Sequence, residues 1–400
     1  MSNRIAKRVE DCIDSMTLKL SARAKAFKDA GERVISFGTG EPDFTTPDYI
    51  CEGGKAAIDQ RHTKYDAVAG VAALRKAIAD KFRADNGLDY SADEIIVCSG
   101  AKTCLSVALQ TLLNPGDEVI IPKPYWVSYT EMVKLAGGVP VLVDTKPENQ
   151  FKMTARELEA AITPKTRVLM LNTPVNPTGV IYSREDLGAI AQVVVKNDII
   201  VLSDEIYEEF VYDGNKTVSI AALGDDIKNN TIVINGFSKT FAMTGWRLGY
   251  AAGPRDIIDA MKKVQGHNIS HPCTIAQYAG LTALLEKGEA VAQMIAVFDE
   301  RRRAMMARLD KLADLSYIYP ASTFYIFVDI SAIIKDNRND IASGYDFSEG
   351  LLEEYKVVTV PGEAFGVKNH LRFCFTTSVE DIQEGFDRIE AFLAKINQKA

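Results

Sequence analysis

Short apolar runs of four or five residues recur through the middle of the chain, at 94–98, 117–121, 139–143, 167–171, 199–202 and 231–234. Most are separated by stretches with helical spacing. The runs do not alternate apolar with polar positions, which predicts strands buried on both faces rather than on one. Repeated strand–helix alternation of this kind predicts the α/β class, with a mostly parallel sheet covered by helices on both sides.

The two ends of the chain read differently. Residues 4–30 predict an amphipathic helix stopped at Gly31, and 34–37 a short strand. Helices are expected over 47–60, opened at Thr46, and over 71–82, after Gly70. Beyond Pro254 a long helical stretch runs through Arg301-Arg302-Arg303, a triplet expected on a solvated helix face. Strands near 324–328 and 371–375 and a helix from 379 onward follow, predicting a smaller α+β unit joined by the N-terminal segment.

Composition narrows the function classes. A chain of 400 residues suggests about two domains. The net charge of −8 argues against a general nucleic-acid binder. No apolar run approaches the length of about 18 residues that a membrane-spanning helix needs. The first 20 residues are charged throughout and lack the apolar centre of a signal peptide. Six scattered cysteines with no Cys-x-x-Cys pair predict no metal site and fit a reducing cytoplasm.

Candidate chemistry collects where the predicted strands end, the edge of an open α/β sheet where ligands bind. Lys239 follows the run at 231–234, with Arg247 eight residues on in a Gly-flanked segment. Taken alone, Lys239 reads as a surface lysine. Burial or nearby cations would favour its neutral amine, which can attack a carbonyl to form a Schiff base. Ser99-Gly100-Ala101-Lys102 sits between a strand and a helix, whose free N–H groups suit a phosphate. Asp204 ends a buried strand, where a carboxylate needs a partner, and Tyr207 follows three residues later. Asn176 lies in a stiff Pro- and Gly-containing loop, and Trp126 follows another strand end, where its ring could stack on a flat cofactor. Gly38-Thr39-Gly40-Glu41-Pro42-Asp43 is no dinucleotide fingerprint, because Asp43 replaces the third glycine.

These pieces, in this order, resemble the class I aminotransferases, the fold type I pyridoxal-phosphate enzymes. The matching residues are Gly40-Glu41-Pro42-Asp43, Tyr65, Ser99 to Lys102, Pro124-Tyr125-Trp126, Asn176-Pro177-Thr178-Gly179, Ser203 to Tyr207, Ser238-Lys239 with Arg247, and Leu371-Arg372. The resemblance implies a large domain, 47–290, on a mostly parallel seven-stranded sheet, and a small α+β domain from 1–46 and 291–400. It implies pyridoxal 5'-phosphate held by Lys239, with Asp204 on the pyridine nitrogen, Asn176 and Tyr207 on the ring oxygen and Trp126 on the ring face. Gly100, Ala101, Ser238 and Arg247 would hold the phosphate, with Lys102 beside them and Tyr65 supplied by the partner of a homodimer. Arg372 and Gly40, with Trp126 and Asn176, would hold the substrate, and Lys239, Asp204 and Tyr207 would carry the chemistry.

In the branch of that family that uses aspartate, a lysine at the position of Lys102 approaches the distal carboxylate. The resemblance therefore implies transfer of the aspartate amino group to 2-oxoglutarate. Two departures stand out: Gly236 occupies a position where some relatives carry a phosphate-binding serine, and Ile13 falls where prephenate-accepting relatives carry a basic residue. That ranks prephenate second. A carbon–sulfur lyase on the same scaffold would keep Lys239, Asp204 and Arg372, but would have no second carboxylate for Lys102. A cofactor-bearing regulator would need a DNA-binding domain, for which the residues before 31 are expected to leave no room.

Overall fold

The computed structural model describes residues 4–13, 16–286, 288–336 and 341–397. After β1 (Ile35–Ser36) come the strands of the main sheet: β2 (Ile95–Cys98), β3 (Glu118–Lys123), β4 (Val139–Asp144), β5 (Thr166–Asn172), β6 (Ile200–Asp204), β7 (Thr231–Gly236) and β8 (Gly249–Ala252). Their spatial order is β2-β8-β7-β6-β5-β3-β4, giving the expected seven-stranded sheet. Every neighbour pair is parallel except the two involving β8, which runs antiparallel to both β7 and β2.

The side chains explain the lack of alternation. Ile96, Val119, Val168, Leu202, Ile232 and Ala251 belong to a core on one face of the sheet. Their neighbours Val97, Val233 and Tyr250, and Ile120, Leu169 and Val201, belong to cores on the other. These strands thus alternate between two apolar layers rather than between apolar and wet surroundings, whereas β4, at the edge of the sheet, departs from the expected burial on both faces and leaves Val139 and Leu142 exposed. Strand β8 escapes the sequence pattern because it is four residues long and made of Gly, Tyr and two Ala, of which only Tyr favours strands.

The smaller part is built on β9 (Ser316–Tyr317), β10 (Tyr325–Asp329), β11 (Val357–Val358), β12 (Val360–Pro361) and β13 (His370–Cys374). Strands β12-β13-β10-β9 form an antiparallel sheet, and β1 pairs in parallel with β11. One core joins this sheet to the helix Val379–Asn397, and it also takes in Ile206, Tyr207 and Phe210, which follow β6. The segment after β6 therefore packs on the smaller sheet, which places the end of β6 at the seam.

Several expected elements differ in detail. The predicted helix over 4–30 is two helices, Lys7–Glu10 and Met16–Asp29. After the first, the Ile13 N–H donates to Glu131 at 3.1 Å, so a tertiary contact takes a group the continuous helix would have used. Thr46 does not cap its helix. Its hydroxyl donates to the Ala242 carbonyl at 2.8 Å and accepts from Trp246 Nε1 at 3.0 Å, tying the helix entrance to the loop after Lys239.

The arginine triplet is not a solvated face. Arg302 is 0% exposed. Its guanidinium donates to Asp299 at 2.8 Å, to Asp213 at 2.9 Å and to the Pro320 carbonyl at 3.0 Å, over the Tyr212 ring. Arg301 grips both oxygens of Asp43, at 2.7 and 2.9 Å, and only Arg303 is exposed. A charge pattern cannot reveal Asp213 or Asp43 as partners, because they lie about 90 and 260 residues away in sequence.

Without Arg302, Asp299 and Asp213 keep Arg303, and Asp213 keeps Tyr319, but the buried Pro320 contact and the cation over Tyr212 are lost, at a cost on the order of 2 kcal/mol. Arg302→Leu is expected to lower unfolding stability by that amount, read from the urea midpoint. A change under about 0.5 kcal/mol, typical of a surface site, would show that the network adds little.

Candidate active site

A cavity of about 600 Å³ opens at the carboxyl edge of the main sheet, against the smaller sheet. Its lining includes Gly40, Ala101, Lys102, Trp126, Asn176, Asp204, Tyr207, Ser238, Lys239, Arg247 and Arg372. Distant stretches meet here because β3, β5, β6 and β7 end at one edge, and β13 presents Arg372 from across the seam.

Asp204, the last residue of β6, is 5% exposed. Tyr129 Oη donates to its Oδ2 at 2.6 Å, while Oδ1 receives only a long contact of 3.4 Å from the Ile206 N–H. Burial raises the carboxyl to about 6, against the opposing Tyr129 hydrogen bond. Oδ1 thus keeps acceptor capacity for a further donor.

Lys239 lies just past β7. Its Nζ donates to the Gly40 carbonyl at 2.6 Å and stands 5.7 Å from the Phe324 ring centre. Burial lowers the ammonium to about 8, helped by Arg372 and Arg247 and opposed by Cys374 and Glu41. The surface-lysine alternative is therefore set aside, since desolvation makes the neutral amine accessible near physiological pH.

Gly100 precedes the helix Ala101–Leu112 at φ 94°, in the left-handed region. A Cβ there would lie 2.5 Å from Arg247 Nη2, and one on Gly249 would lie 2.4 Å from the Ala101 nitrogen. Only glycine lets the guanidinium and this helix N-terminus come so close, and together they form an anion cradle with Ser238. Arg247 itself has φ 52° and donates Nη1 to the Thr244 carbonyl at 2.8 Å.

Across the cavity, Arg372 donates to Asn176 Oδ1 at 3.2 Å and to the Gly38 carbonyl at 3.0 Å. Its Nε is buried without a hydrogen-bond partner. The Asn176 N–H donates to Asn172 Oδ1 at 2.8 Å, which fixes the loop that carries it. The Tyr207 hydroxyl lies 2.8 Å from that of Tyr325. Lys102 Nζ sits 4.9 Å from the Trp126 ring centre, and burial together with Arg247 lowers its pKa.

The structure thus brings together all the sequence candidates except Tyr65. Tyr65 is 90% exposed and lines a second cavity with His62, Lys64 and His271. Sequence reading missed Tyr129, Tyr325 and Glu41 as site residues. Tyr129 lies three positions after Trp126, a spacing that puts both on one face once the helix Ser128–Leu135 begins. Tyr325 carries no such signal, since its place depends on the pairing of β10 with β13.

The donor set can be tested against a phosphorylated pyridine aldehyde. An anion cradle, a desolvated amine, a buried carboxylate with spare acceptor capacity and an indole occupy one cavity, so the residues fit that group. Among the described residues, no cluster of three or more His, Cys, Asp and Glu could hold a metal ion.

Known proteins resemble this chain over nearly its whole length. The family model described as Aminotransferase class I and II matches residues 32–389. An aspartate aminotransferase of Geobacillus stearothermophilus is 44% identical over 393 residues, covering 98% of this chain and 99% of that protein. An aspartate/prephenate aminotransferase of Cereibacter sphaeroides is 42% identical, covering 96% and 97%. The crystal structure of the Rhizobium meliloti aspartate aminotransferase superposes with a TM-score of 0.94 at 40% identity, covering 98% of each chain.

The Lys239 amine can be titrated by its chemistry. Neutral amine is the reactive form, so its share rises as pH passes upward through about 8. In cofactor-free protein, labelling of Lys239 by a small aldehyde and borohydride is expected to rise with a midpoint near 8, against roughly 10.4 for a free lysine. Mass spectrometry of the Lys239 peptide across pH checks this, and a midpoint near 10 would mean the amine is not desolvated.

Proposed function

Since the chain belongs to the class I and II aminotransferases, we propose that it transfers the amino group of L-aspartate to 2-oxoglutarate, using pyridoxal 5'-phosphate in a ping-pong cycle. The observation that carries this reading is the Lys239 amine, buried in one cavity with Asp204 on one side and Arg372 on the other. The names of the full-length relatives support the choice of substrate.

Each residue has a physical task. Bound pyridoxal phosphate supplies an aldehyde carbon for the amine and a ring that withdraws electrons. Lys239 Nζ would hold that group, and the same amine is placed to move the proton at the substrate Cα. Asp204 keeps a positive ring nitrogen protonated, and Tyr129 holds the carboxylate in position. Asn176 and Tyr207 would donate to the ring oxygen, and Trp126 would cover the ring face. Gly100, Ala101, Ser238 and Arg247 bind the phosphate, with Lys102 adding positive charge nearby.

Arg372 takes the substrate α-carboxylate through its planar fork, beside Gly40. Lys102 faces the distal carboxylate. It stands over Trp126, and no ion pair engages it among the described residues.

A homodimer is part of the same proposal. The exposed Tyr65 lies outside its own chain's cavity, as expected of a residue that serves a neighbour's phosphate site. The proposed domains are 47–290 and, together, 1–46 and 291–400. Met294 and Phe298 pack into the core of the smaller sheet, in keeping with that boundary. Six free cysteines fit a cytoplasmic protein.

Prephenate is the second reading, since some relatives are named for both substrates. Against it, the exposed Ile13 offers no cation for an added carboxylate. A direct assay with prephenate decides between the two.

The test adds aspartate to protein loaded with pyridoxal phosphate. The absorbance of the cofactor is expected to change as oxaloacetate is released, and 2-oxoglutarate should restore it. A band that aspartate leaves unchanged would remove the substrate assignment, and the absence of any band would remove the cofactor assignment. Lys102→Met is expected to lower kcat/KM for aspartate by at least about tenfold while sparing alanine, since it removes a contact that only the second carboxylate makes.

A further inference from the structure

Tyr325 has no role so far, although it lines the cavity and is 1% exposed. Its hydroxyl lies 2.8 Å from the Tyr207 hydroxyl, and the two rings meet at 77° with centres 5.7 Å apart. On the face of its ring, the Arg372 guanidinium carbon stands 4.3 Å from the centre. A Cβ on Gly40 would stand 3.0 Å from the Tyr325 hydroxyl, so that glycine leaves space for it. Tyr325 therefore touches both the arginine proposed for the substrate carboxylate and the phenol proposed for the ring oxygen.

We infer that Tyr325 is a positioning residue that relays the occupancy of Arg372 to Tyr207, its O–H donating to the Tyr207 oxygen so that the Tyr207 O–H points into the cavity. The relay rests on the proposed function. Its direction follows from electrostatics. A cation on a phenol's ring face stabilises the phenolate, making Tyr325 the stronger donor of the pair. A hydroxyl that accepts a hydrogen bond donates more strongly in turn. A carboxylate on Arg372 offsets the cation's field at the ring and weakens the chain of donation.

Other charges face these groups. Tyr207 meets Asp204 and Arg372, Tyr325 meets Arg372 and Cys374, and Lys239 meets Cys374, Glu41, Arg372 and Arg247. Asn176, bonded to Arg372 at 3.2 Å, offers a separate route to the ring oxygen. The experiment must therefore isolate the Tyr325 hydroxyl.

Tyr325→Phe keeps the ring and its stacking and removes only that hydroxyl. The readout is the pH midpoint of the absorbance of pyridoxal phosphate bound at Lys239, with and without saturating succinate, a dicarboxylate that has no amine to react. Weaker donation from Tyr207 stabilises the deprotonated form less. The midpoint without succinate is thus expected to rise by about half a pH unit, the scale of one ordinary hydrogen bond. The change caused by succinate should shrink, its remainder reflecting Asn176.

In an Arg372→Leu background the same substitution should move the midpoint little, because the cation that drives the relay is gone. An unchanged midpoint and an unchanged succinate response in folded Tyr325→Phe protein would overturn the relay, as would additivity with Arg372→Leu. If Tyr325→Phe does not fold, Tyr207→Phe supplies the test. It removes the relay's end point and should cut the succinate response, so a full response there also overturns the relay. Absence of any absorbance band in the unsubstituted protein would overturn the cofactor reading and the relay with it, whereas a normal band with an unaltered midpoint defeats the relay alone.

Discussion

The site depends on one constraint: an amine and a carboxylate must be kept out of water without being allowed to neutralise each other. Burying either charge is costly unless something pairs with it. Here each has its own partner. Asp204 accepts from Tyr129, and Lys239 donates to the Gly40 carbonyl. Burial raises the acid to about 6 and lowers the amine to about 8, so their titrations approach neutrality from opposite sides. Groups poised in this way are those that can exchange protons during a reaction.

That constraint also explains why the cavity lies at a seam. The sheet supplies strand ends that hold Asp204 and Lys239 rigidly, but a sheet edge alone is open to water. The smaller part closes it with Tyr325, Arg372 and the Gly38–Gly40 backbone. Contacts across the seam are specific: Arg372 with Asn176, and Tyr207 with Tyr325. The buried Arg302 network stiffens the same region by joining the helix Ala290–Leu309 to the loops at Asp213 and Pro320. Anything that shifts the smaller part thereby acts on both the arginine and the phenol above the cavity.

Much of this was legible in the chain because it is written locally. Apolar runs placed β2 to β7, since burial on both faces leaves a composition signal in a few residues of all but the edge strand β4. Gly100, Asp204, Asn176, Ser238, Lys239 and Arg247 each follow a strand, and strand ends of a parallel sheet share one edge. The sequence by itself therefore determined the fold class, the edge that carries chemistry and most of the residues on it. Tertiary structure alone decided the rest, because those facts depend on partners far away along the chain. Arg302 is buried only because Asp213 and Tyr212 meet it, and β8 is a strand only because β2 and β7 flank it. Tyr325 reaches Tyr207 only because β10 pairs with β13 and the segment after β6 packs against that sheet. Local spacing reports which face of an element is apolar. It does not report which distant polar group will stand opposite, and that is what sets the charge state of a buried site.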